Sequence, residues 1–460
     1  MPVEWAGSGP ELLVTIDRAS GAGLRAQLEE QLRTAIRAGR LAGGEPLPSS
    51  RVLARTLGLS RGLVQDCYAQ LQAEGYLTSR AGSATRVAAT ASRGPGTPPP
   101  KPGRTTGHAI ADFAHGVPDL GLVPRDDWAW AVREACRSAP DSAFGYGEPA
   151  GARPLREVLA AYLGRVRAAA VTPDDLIVCS GMQQSLNLVL ATVDASPVAF
   201  ENPGPGLPAR RGIPVPVDEE GLDVEALRRT GARAVLVTPA HQWPTGVVLS
   251  GPRRRQLIAW ARECDGIIIE DDYDAEFRYD RDPVGSLQGL APDHVVSLGT
   301  VSKSLAPALR LGWIVVPPRL FEPLARAKWL ADRGSPGIDQ LALATLIESG
   351  RYDRHLRRVR SEYAARRETL VGALTRHAPH LAVTGLAAGF HAVLHLPPGT
   401  TEDQVVSSAV ARGVGLYGMA GLCARPAPPR LILGFGNTPR GRIEPGIAAI
   451  ADLLGALGKT

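Results

Sequence analysis

Lys303 is the first residue whose chemistry stands out, because it is one of only four lysines among 51 basic residues. It lies in the segment Gly299-Thr-Val-Ser-Lys-Ser-Leu-Ala-Pro, which is rich in small residues. Arginine can replace lysine as a positive charge, but it cannot form a Schiff base. A lysine retained in such a segment indicates covalent chemistry with a carbonyl group. The alternative is a solvated surface lysine.

A group of acidic residues follows a predicted buried strand. The run Gly266-Ile-Ile-Ile is typical of a parallel strand, and Glu270-Asp-Asp-Tyr-Asp comes directly after it. Open α/β sheets bind ligands at the carboxyl ends of their strands. Strand alternation places Asp271 and Tyr273 on one face and Asp272 on the other. A carboxylate there could hold a pyridinium nitrogen protonated. An acidic loop or a divalent-metal site is the alternative, but with no His or Cys cluster nearby we predict no metal.

A third segment has the pattern of a phosphate site. A short apolar run ends at Ser180-Gly-Met-Gln and is followed by a predicted helix. A strand, a small-residue turn and a helix present free N–H groups and a positive dipole end to a phosphate. Arg310, seven positions after Lys303, could add a bidentate contact. A turn that only connects two elements is the alternative.

Together and in this order, these segments resemble the fold-type I pyridoxal-phosphate aminotransferases, over residues from about 110 to 460. The matching motifs are Tyr146-Gly-Glu-Pro-Ala-Gly, Ser180-Gly-Met-Gln, His241-Gln-Trp-Pro-Thr-Gly, Asp271-Asp-Tyr and Ser302-Lys. The resemblance implies pyridoxal 5'-phosphate as cofactor, held by Lys303 as a Schiff base, with Asp271 at the pyridine nitrogen and Tyr273 at the 3'-oxygen. It implies that the phosphate is held by Ser180, Gly181, Met182, Gln183, Thr300, Ser302 and Arg310. It also implies that Tyr146 reaches the phosphate of a partner subunit, and therefore a homodimer.

The sequence departs from this family at two positions. Pro205 stands where an aromatic ring usually stacks on the cofactor, and Trp243 stands where asparagine usually precedes Pro-x-Gly. Both departures argue against efficient turnover. The arginine that binds a substrate carboxylate is expected near the last core strand. Arg430 is the nearest candidate, and a surface arginine is the alternative there.

The N-terminal residues predict a separate helical domain. Apolar residues recur at helical spacing from Leu24 to Ile36. Ser49 or Ser50 can cap a short helix from Arg51 to Leu57, which Gly58 ends. Ser60 can cap a second helix from Arg61 to Ala73, and together they form a helix-turn-helix pattern. Residues 76–87 predict two short strands around a glycine turn.

This region, from Leu24 to Val87, resembles the winged helix-turn-helix of the GntR regulators. The matching motifs are Leu47-Pro-Ser-Ser-Arg, Leu59-Ser-Arg and Tyr68-Ala-Gln-Leu-Gln-Ala-Glu-Gly-Tyr-Leu. The resemblance implies contacts to double-stranded operator DNA from Arg51, Ser60, Arg61, Gln65, Arg80 and Gly82. Arginine at a helix N-terminus suits phosphates and guanine edges. Gly62 replaces the small polar residue common after Arg61, which removes one base contact. A generic three-helix domain with solvated arginines is the alternative.

Charge and composition separate the two regions. Residues 1–106 contain 13 Lys and Arg against 8 Asp and Glu, an excess of +5, and the remaining residues contain 38 of each. The stretch between them is rich in Pro, Gly, Ser and Thr and has no apolar periodicity, as in a semi-rigid linker. We predict a winged helix-turn-helix at 11–88, a linker at 89–109 and an aminotransferase-like domain at 110–460. The last combines a large α/β domain, with a mainly parallel sheet, and a small C-terminal α/β domain.

The combined architecture resembles the MocR subfamily of GntR-type bacterial regulators. We therefore predict a transcription factor that binds pyridoxal phosphate and senses it or an amino compound reacting with it. A working aminotransferase and a cofactor-free regulator are the two alternatives. The five cysteines show no metal or disulfide pattern. The sequence shows neither an apolar signal core nor a membrane span, so a cytoplasmic protein without membrane contact is expected.

Overall fold

The structure is a computed structural model that describes residues 14–18, 20–21, 23–38, 40–79, 84–88, 110–193, 197–205, 212–274, 276–279 and 285–457. The chain divides into two compact units, Met1–Arg104 and Thr105–Thr460. This division falls inside the predicted linker. Among the described residues, no helix is long and apolar enough to cross a membrane.

The first unit contains the three predicted helices: α1 (Leu24–Arg37), α2 (Ser50–Leu57) and α3 (Arg61–Ala73). Ser49 caps α2 by accepting a hydrogen bond from the N–H of Val52, so this helix begins one residue earlier than predicted. Gly58 ends α2 with a left-handed φ of +63°. The Ser60 hydroxyl then caps α3 through the N–H of Leu63. The predicted helix-turn-helix is therefore confirmed.

Two short strands complete this unit. The strands β1 (Leu77–Thr78) and β2 (Arg86–Val87) pair antiparallel, as the sequence predicts. The apolar faces of the helices meet these strands in one core around Leu28, Leu53 and Leu71. Arg80 and Gly82, the predicted contacts of the wing, lie outside the described residues.

The second unit contains a large sheet and a small one. Its strands are β3 (Ala111–Asp112), β4 (Leu176–Cys179), β5 (Val198–Asn202), β6 (Gly212–Asp218), β7 (Gly221–Leu222), β8 (Ala234–Val237), β9 (Ile267–Asp272), β10 (Val295–Thr300), β11 (Gly312–Val315), β12 (Val383–Thr384), β13 (His391–His395), β14 (Val414–Gly415), β15 (Tyr417–Gly418) and β16 (Arg430–Gly434). Its α-helices are α4 (Arg125–Ser138), α5 (Arg153–Arg167), α6 (Met182–Thr192), α7 (Val224–Thr230), α8 (Gly251–Glu263), α9 (Pro318–Asp332), α10 (Gly337–Glu348), α11 (Arg351–His377), α12 (Glu402–Ala411), α13 (Arg440–Ala449) and α14 (Ala451–Ala456).

The large sheet has eight strands in the order β4-β11-β10-β9-β8-β5-β6-β7. The five strands from β10 to β6 run parallel, whereas β11 is antiparallel to both of its neighbours. Helices α6 and α9 cover one face, where Ile269 and Leu298 are buried. Helix α8 packs on the opposite face, against Ile268 and Val235. Burial on both faces explains why the central strands are continuous apolar runs.

The small antiparallel sheet has the strand order β12-β13-β16-β15. The first described strand of this unit, β3, does not join either sheet but pairs in parallel with β14 near the C-terminal end of the chain. The N–H of Ile110 donates to the carbonyl of Gly413 at 2.7 Å, and that of Phe113 to Gly415 at 3.0 Å. Residues 110–113 are therefore fixed to the C-terminal region. These sheets confirm the predicted fold of this unit, a large α/β domain with a small C-terminal one.

Candidate functional site

A cavity of about 370 Å³ lies where β8, β9 and β10 end. This is the edge at which open α/β sheets bind ligands. The residues that line it are Gly116, Met182, Gln183, Pro205, Thr238, Trp243, Asp271, Tyr273, Thr300, Ser302, Lys303, Pro307 and Arg310. Eight of the predicted cofactor residues therefore meet in one place.

Lys303 follows β10 and is half-buried in the cavity wall. Its Nζ donates a hydrogen bond to the carbonyl of Gly116 at 2.5 Å. Burial lowers the pKa of this lysine, and the carboxylates of Asp271 and Asp274 act in the opposite direction. A lowered pKa increases the neutral, nucleophilic fraction of the amine.

Asp271 is buried on the same wall, and its Oδ1 has no hydrogen-bond partner among the described residues. Burial, followed by the nearby Asp272 carboxylate, raises the pKa of Asp271 to about 7. Asp272 points away from the cavity and accepts a hydrogen bond from the Nε of Arg167 at 2.6 Å. The two neighbouring acids therefore lie on opposite sides of β9, in the manner that strand alternation requires. A buried acceptor without a donor is a position that a ligand can satisfy.

Tyr273 lines the cavity, and its hydroxyl is held by His241. The hydroxyl lies 3.2 Å from His241 Nδ1 and donates to the His241 carbonyl at 3.1 Å. The His241 ring is itself buried and lies 2.8 Å from Asp274 Oδ2. Burial raises the pKa of Tyr273 well above its ordinary value, so the phenol carries its proton. The hydroxyl can donate to an oxygen in the cavity only by giving up its hydrogen bond to the His241 carbonyl.

An anion cradle forms where α6 begins, and we define it as Gly181, Met182, Gln183, Thr300, Ser302 and Arg310. Gly181 has a φ of +104°, and a side chain at this position would lie 3.5 Å from Thr300 Oγ1 and 3.6 Å from the Arg310 guanidinium. The Thr300 hydroxyl and the Arg310 guanidinium therefore lie beside the start of α6, whose first N–H groups have no partner within the helix. The Arg310 side chain has no hydrogen bond or ion pair with the described residues. This arrangement suits a phosphate group.

Three predicted residues are placed differently. The N–H of Ser180 is occupied by a hydrogen bond to Gln184 Oε1 at 2.8 Å, so this group does not face the cradle. Tyr146 is 80% exposed and lines another cavity, beside Ser335. Arg430 does not line the cavity at the strand ends, and its buried Nε has no partner among the described residues.

The cavity also contains residues that the sequence patterns did not single out. Thr238 follows β8, and its hydroxyl donates to the buried Glu201 at 2.6 Å. Its place at the end of a parallel strand was the available signal. Trp243, read from the sequence only as a departure, supplies an aromatic wall. Its ring packs on His115 and His391 at centroid distances of 4.9 and 5.1 Å.

A second candidate site lies on the helix-turn-helix. Arg51, Ser60, Arg61 and Gln65 are all exposed, at or near the start of α2 and α3. Neither the Arg51 nor the Arg61 side chain has a hydrogen bond or ion pair with a described residue. Both arginines are therefore free for an external partner, whereas the Ser60 hydroxyl already accepts the N–H of Leu63.

The arginines of α1 are different, because they are paired within the domain. Arg25 contacts Glu29 at 2.6 Å, and Arg33 contacts Glu74 at 2.9 Å. An arginine already paired with a carboxylate offers less attraction to a phosphate. The arginines of this unit without a carboxylate partner thus include Arg51 and Arg61, at the N-termini of α2 and α3.

Two families match the chain in tandem. Residues 24–87 match the family described as bacterial regulatory proteins, gntR family, and residues 110–448 match aminotransferase class I and II.

Known proteins match over most of the chain. The HTH-type pyridoxine biosynthesis transcriptional regulator PdxR of Corynebacterium glutamicum is 34% identical over 93% of this chain and 95% of its own length. The probable rhizopine catabolism regulatory protein MocR of Rhizobium meliloti is 31% identical over 97% and 96%. Among solved structures, LysN, an alpha-aminoadipate aminotransferase from Thermus thermophilus complexed with N-(5'-phosphopyridoxyl)-L-leucine, matches with a TM-score of 0.68. It is 27% identical and covers 76% of this chain and 93% of that one.

A helix-turn-helix unit followed by an aminotransferase-fold unit defines a class of two-domain DNA-binding transcriptional regulators. The chain belongs to the MocR-type regulators of the GntR family.

Proposed function

We propose that this regulator binds pyridoxal 5'-phosphate at Lys303 and senses either the cofactor itself or an amino compound that reacts with it. One observation carries the proposal. A lysine amine, an unpartnered buried carboxyl oxygen and an anion cradle line the same cavity. LysN, similar in fold, is complexed with a phosphopyridoxyl compound.

Each functional group of pyridoxal phosphate finds a matching group in the cavity. Lys303 fits the aldehyde, the cradle fits the phosphate, and Asp271 fits the ring nitrogen. When bound, the cofactor supplies an electron-withdrawing ring that stabilises negative charge on an attached amino compound. The Asp271 carboxylate favours a protonated ring nitrogen and gains the donor that it now lacks. The Tyr273 phenol would exchange its bond to the His241 carbonyl for one to the ring oxygen, and Arg310 with the α6 N–H groups would neutralise the phosphate.

The sensing mechanism follows from linkage. A ligand that binds two conformations of a protein unequally shifts the balance between them. In a dimer, such a shift changes the relative placement of the two DNA-binding units. Tyr146 at the phosphate of the partner subunit and Arg430 at the carboxylate of an effector remain part of this proposal.

A working aminotransferase is the second candidate, because Lys303, Asp271 and Tyr273 line one cavity as they would in such an enzyme. Pro205 in place of a stacking ring opposes it. Release of an oxo acid from candidate amino acids, measured over many turnovers, would favour the enzyme. A single stoichiometric spectral change with altered DNA binding would favour the sensor. A purified protein without visible absorbance, even after pyridoxal phosphate is added, would favour a cofactor-free regulator.

Asp271→Asn and Asp272→Asn should change the melting temperature of the cofactor-free protein in opposite directions. Asp271→Asn should weaken cofactor binding by about tenfold or more, because the ring nitrogen loses a charged partner. The folded-state pKa of Asp271, about 7, lies above its ordinary value of 3.8. This group therefore lowers the stability of the cofactor-free protein increasingly as the pH rises between these values. Removing the charge should raise the melting temperature of the cofactor-free protein at pH 8.

Asp272→Asn is the matched control. It removes the partly buried carboxylate that accepts a hydrogen bond from Arg167 at 2.6 Å, so the melting temperature should fall. Cofactor affinity below that temperature should change little. Equal losses of cofactor affinity in the two variants would contradict the assignment of Asp271.

Arg61→Ala should weaken binding to a specific operator by about 1–3 kcal/mol, because Arg61 is free at the start of α3, the second helix of the helix-turn-helix. The loss on unrelated DNA should be smaller. Binding is measured by fluorescence anisotropy at fixed salt, with Arg25→Ala as the control, since Arg25 is already paired with Glu29. An equal loss on both DNAs would make Arg61 a phosphate contact, and no loss would exclude it from the interface.

A further inference from the structure

Lys328 is a lysine that the cofactor site does not use, yet its side chain is completely buried. It lies near the end of α9, and its Nζ donates to both carboxylate oxygens of Asp332 at 2.7 and 2.8 Å. Lysine is almost never fully buried unless it is paired, because removing an ammonium group from water is costly. The position therefore needs an explanation beyond surface charge.

Asp332 also accepts hydrogen bonds from two other groups. Its Oδ2 also accepts a hydrogen bond from the side-chain amide of Gln184 at 2.6 Å. Its Oδ1 accepts a third donor, the N–H of Gly334, at 3.0 Å. Because the carboxylate is bonded on both oxygens, its orientation is fixed. Gln184 is therefore held by one end of its amide.

The oxygen of the same amide binds the residue that directly precedes the anion cradle. Gln184 Oε1 accepts the N–H of Ser180 at 2.8 Å, and Ser180 directly precedes Gly181. A continuous chain of hydrogen bonds thus runs from Lys328 through Asp332 and Gln184 to the first residue of the turn. We call these three side chains the α9 clamp. None of the three lines the cavity.

The clamp determines which N–H groups face an anion. With the Ser180 N–H occupied, the free donors of the turn are those of Gly181, Met182 and Gln183. An amide bound to a fixed carboxylate cannot rotate without breaking two hydrogen bonds, so the turn is held in one orientation. Preorganised donors bind an anion more tightly than donors that must first be ordered.

We infer that Lys328 is a positioning residue that sets the phosphate affinity of the cradle through Asp332 and Gln184. The inference rests on the proposed cofactor function, although the cradle can be tested separately with inorganic phosphate. The α9 clamp touches neither the ring nor the aldehyde position. Its loss should therefore weaken recognition of the phosphate alone.

The test compares pyridoxal phosphate with pyridoxal, which lacks the phosphate, on full-length cofactor-free protein by absorbance titration. Lys328→Met and Gln184→Leu should each weaken pyridoxal phosphate binding by about tenfold and leave pyridoxal binding unchanged. Stabilisation of the cofactor-free protein by inorganic phosphate should shrink in both variants. Arg319→Met removes a cation from the other end of α9 and should behave as the wild type.

Equal weakening of pyridoxal phosphate and pyridoxal binding would overturn the inference. So would an unchanged ratio of the two affinities in Gln184→Leu. If Lys328→Met does not fold, Gln184→Leu decides the matter, because it removes an uncharged link of the same chain. If the wild type binds neither pyridoxal compound, the proposed cofactor function fails. The phosphate measurement then still decides whether the clamp positions the cradle.

Discussion

Lys303→Ala is expected to abolish the visible absorbance of protein incubated with pyridoxal phosphate, and with it the covalent trapping of the cofactor by borohydride. Lys303 is the only lysine that lines the cavity among the described residues, so no other amine is placed to replace it. The remaining contacts to phosphate and ring can still hold the cofactor reversibly. The effect on covalent attachment should therefore be complete, whereas weak non-covalent binding survives.

Lys303→Arg is the sharpest control for this result. It keeps a positive charge in the cavity but cannot form a Schiff base, so it should lose trapping as fully as Lys303→Ala. Peptide mapping of the borohydride-treated wild type should give a single modified lysine. Modification of Lys328 instead, or retained trapping in either variant, would contradict the assignment.

Separating the two units should reduce operator affinity by roughly a hundredfold or more. We expect residues 110–460 to form the dimer, which raises the effective concentration of the second DNA-binding unit once the first has bound. Residues 1–106 carry a formal excess of only +5, so one unit alone gains limited attraction to phosphates. The fragment 1–88 should therefore bind an operator weakly, although its own core is formed.

Sedimentation and anisotropy measure the two halves of this prediction. The fragment 110–460 should sediment as a dimer without DNA, and the fragment 1–88 as a monomer. Fusing 1–88 to an unrelated dimer should recover part of the lost affinity. A monomeric 110–460 fragment, or full-strength binding by 1–88, would show that dimerisation by the aminotransferase-like unit is not what strengthens binding.

Local patterns predicted the elements well because local chemistry determines them. Ser60 and Gly58 act through residues within three or four positions, so capping and termination could be read directly from the sequence. Strand alternation likewise separated Asp271 from Asp272. The cavity follows from the ends of parallel strands, which bring Thr238, Asp271 and Thr300 together.

Contacts between distant segments could not be read in this way. Lys303 donates to Gly116, 187 positions away, and Gln184 contacts Asp332 across 148 positions. Nothing around Lys328 distinguishes it from a surface lysine of an ordinary helix, because its burial depends on how α9 packs on α6. The Ser180 N–H is bonded to Gln184, only four positions away, but the orientation of that side chain depends on its contact with Asp332. Tertiary packing, rather than propensity, fixed these details.

The segment that begins at Ile110 has a mechanical consequence. Its first residues are bonded to the C-terminal region through Gly413 and Gly415, and six positions later Gly116 receives the hydrogen bond of Lys303. The Lys303 amine therefore contacts the segment 110–116, which directly follows the predicted linker in the sequence. The Schiff base proposed at Lys303 would remove this hydrogen bond. Segment 110–116 would then keep its bonds to Gly413 and Gly415 and lose its contact with the cavity wall.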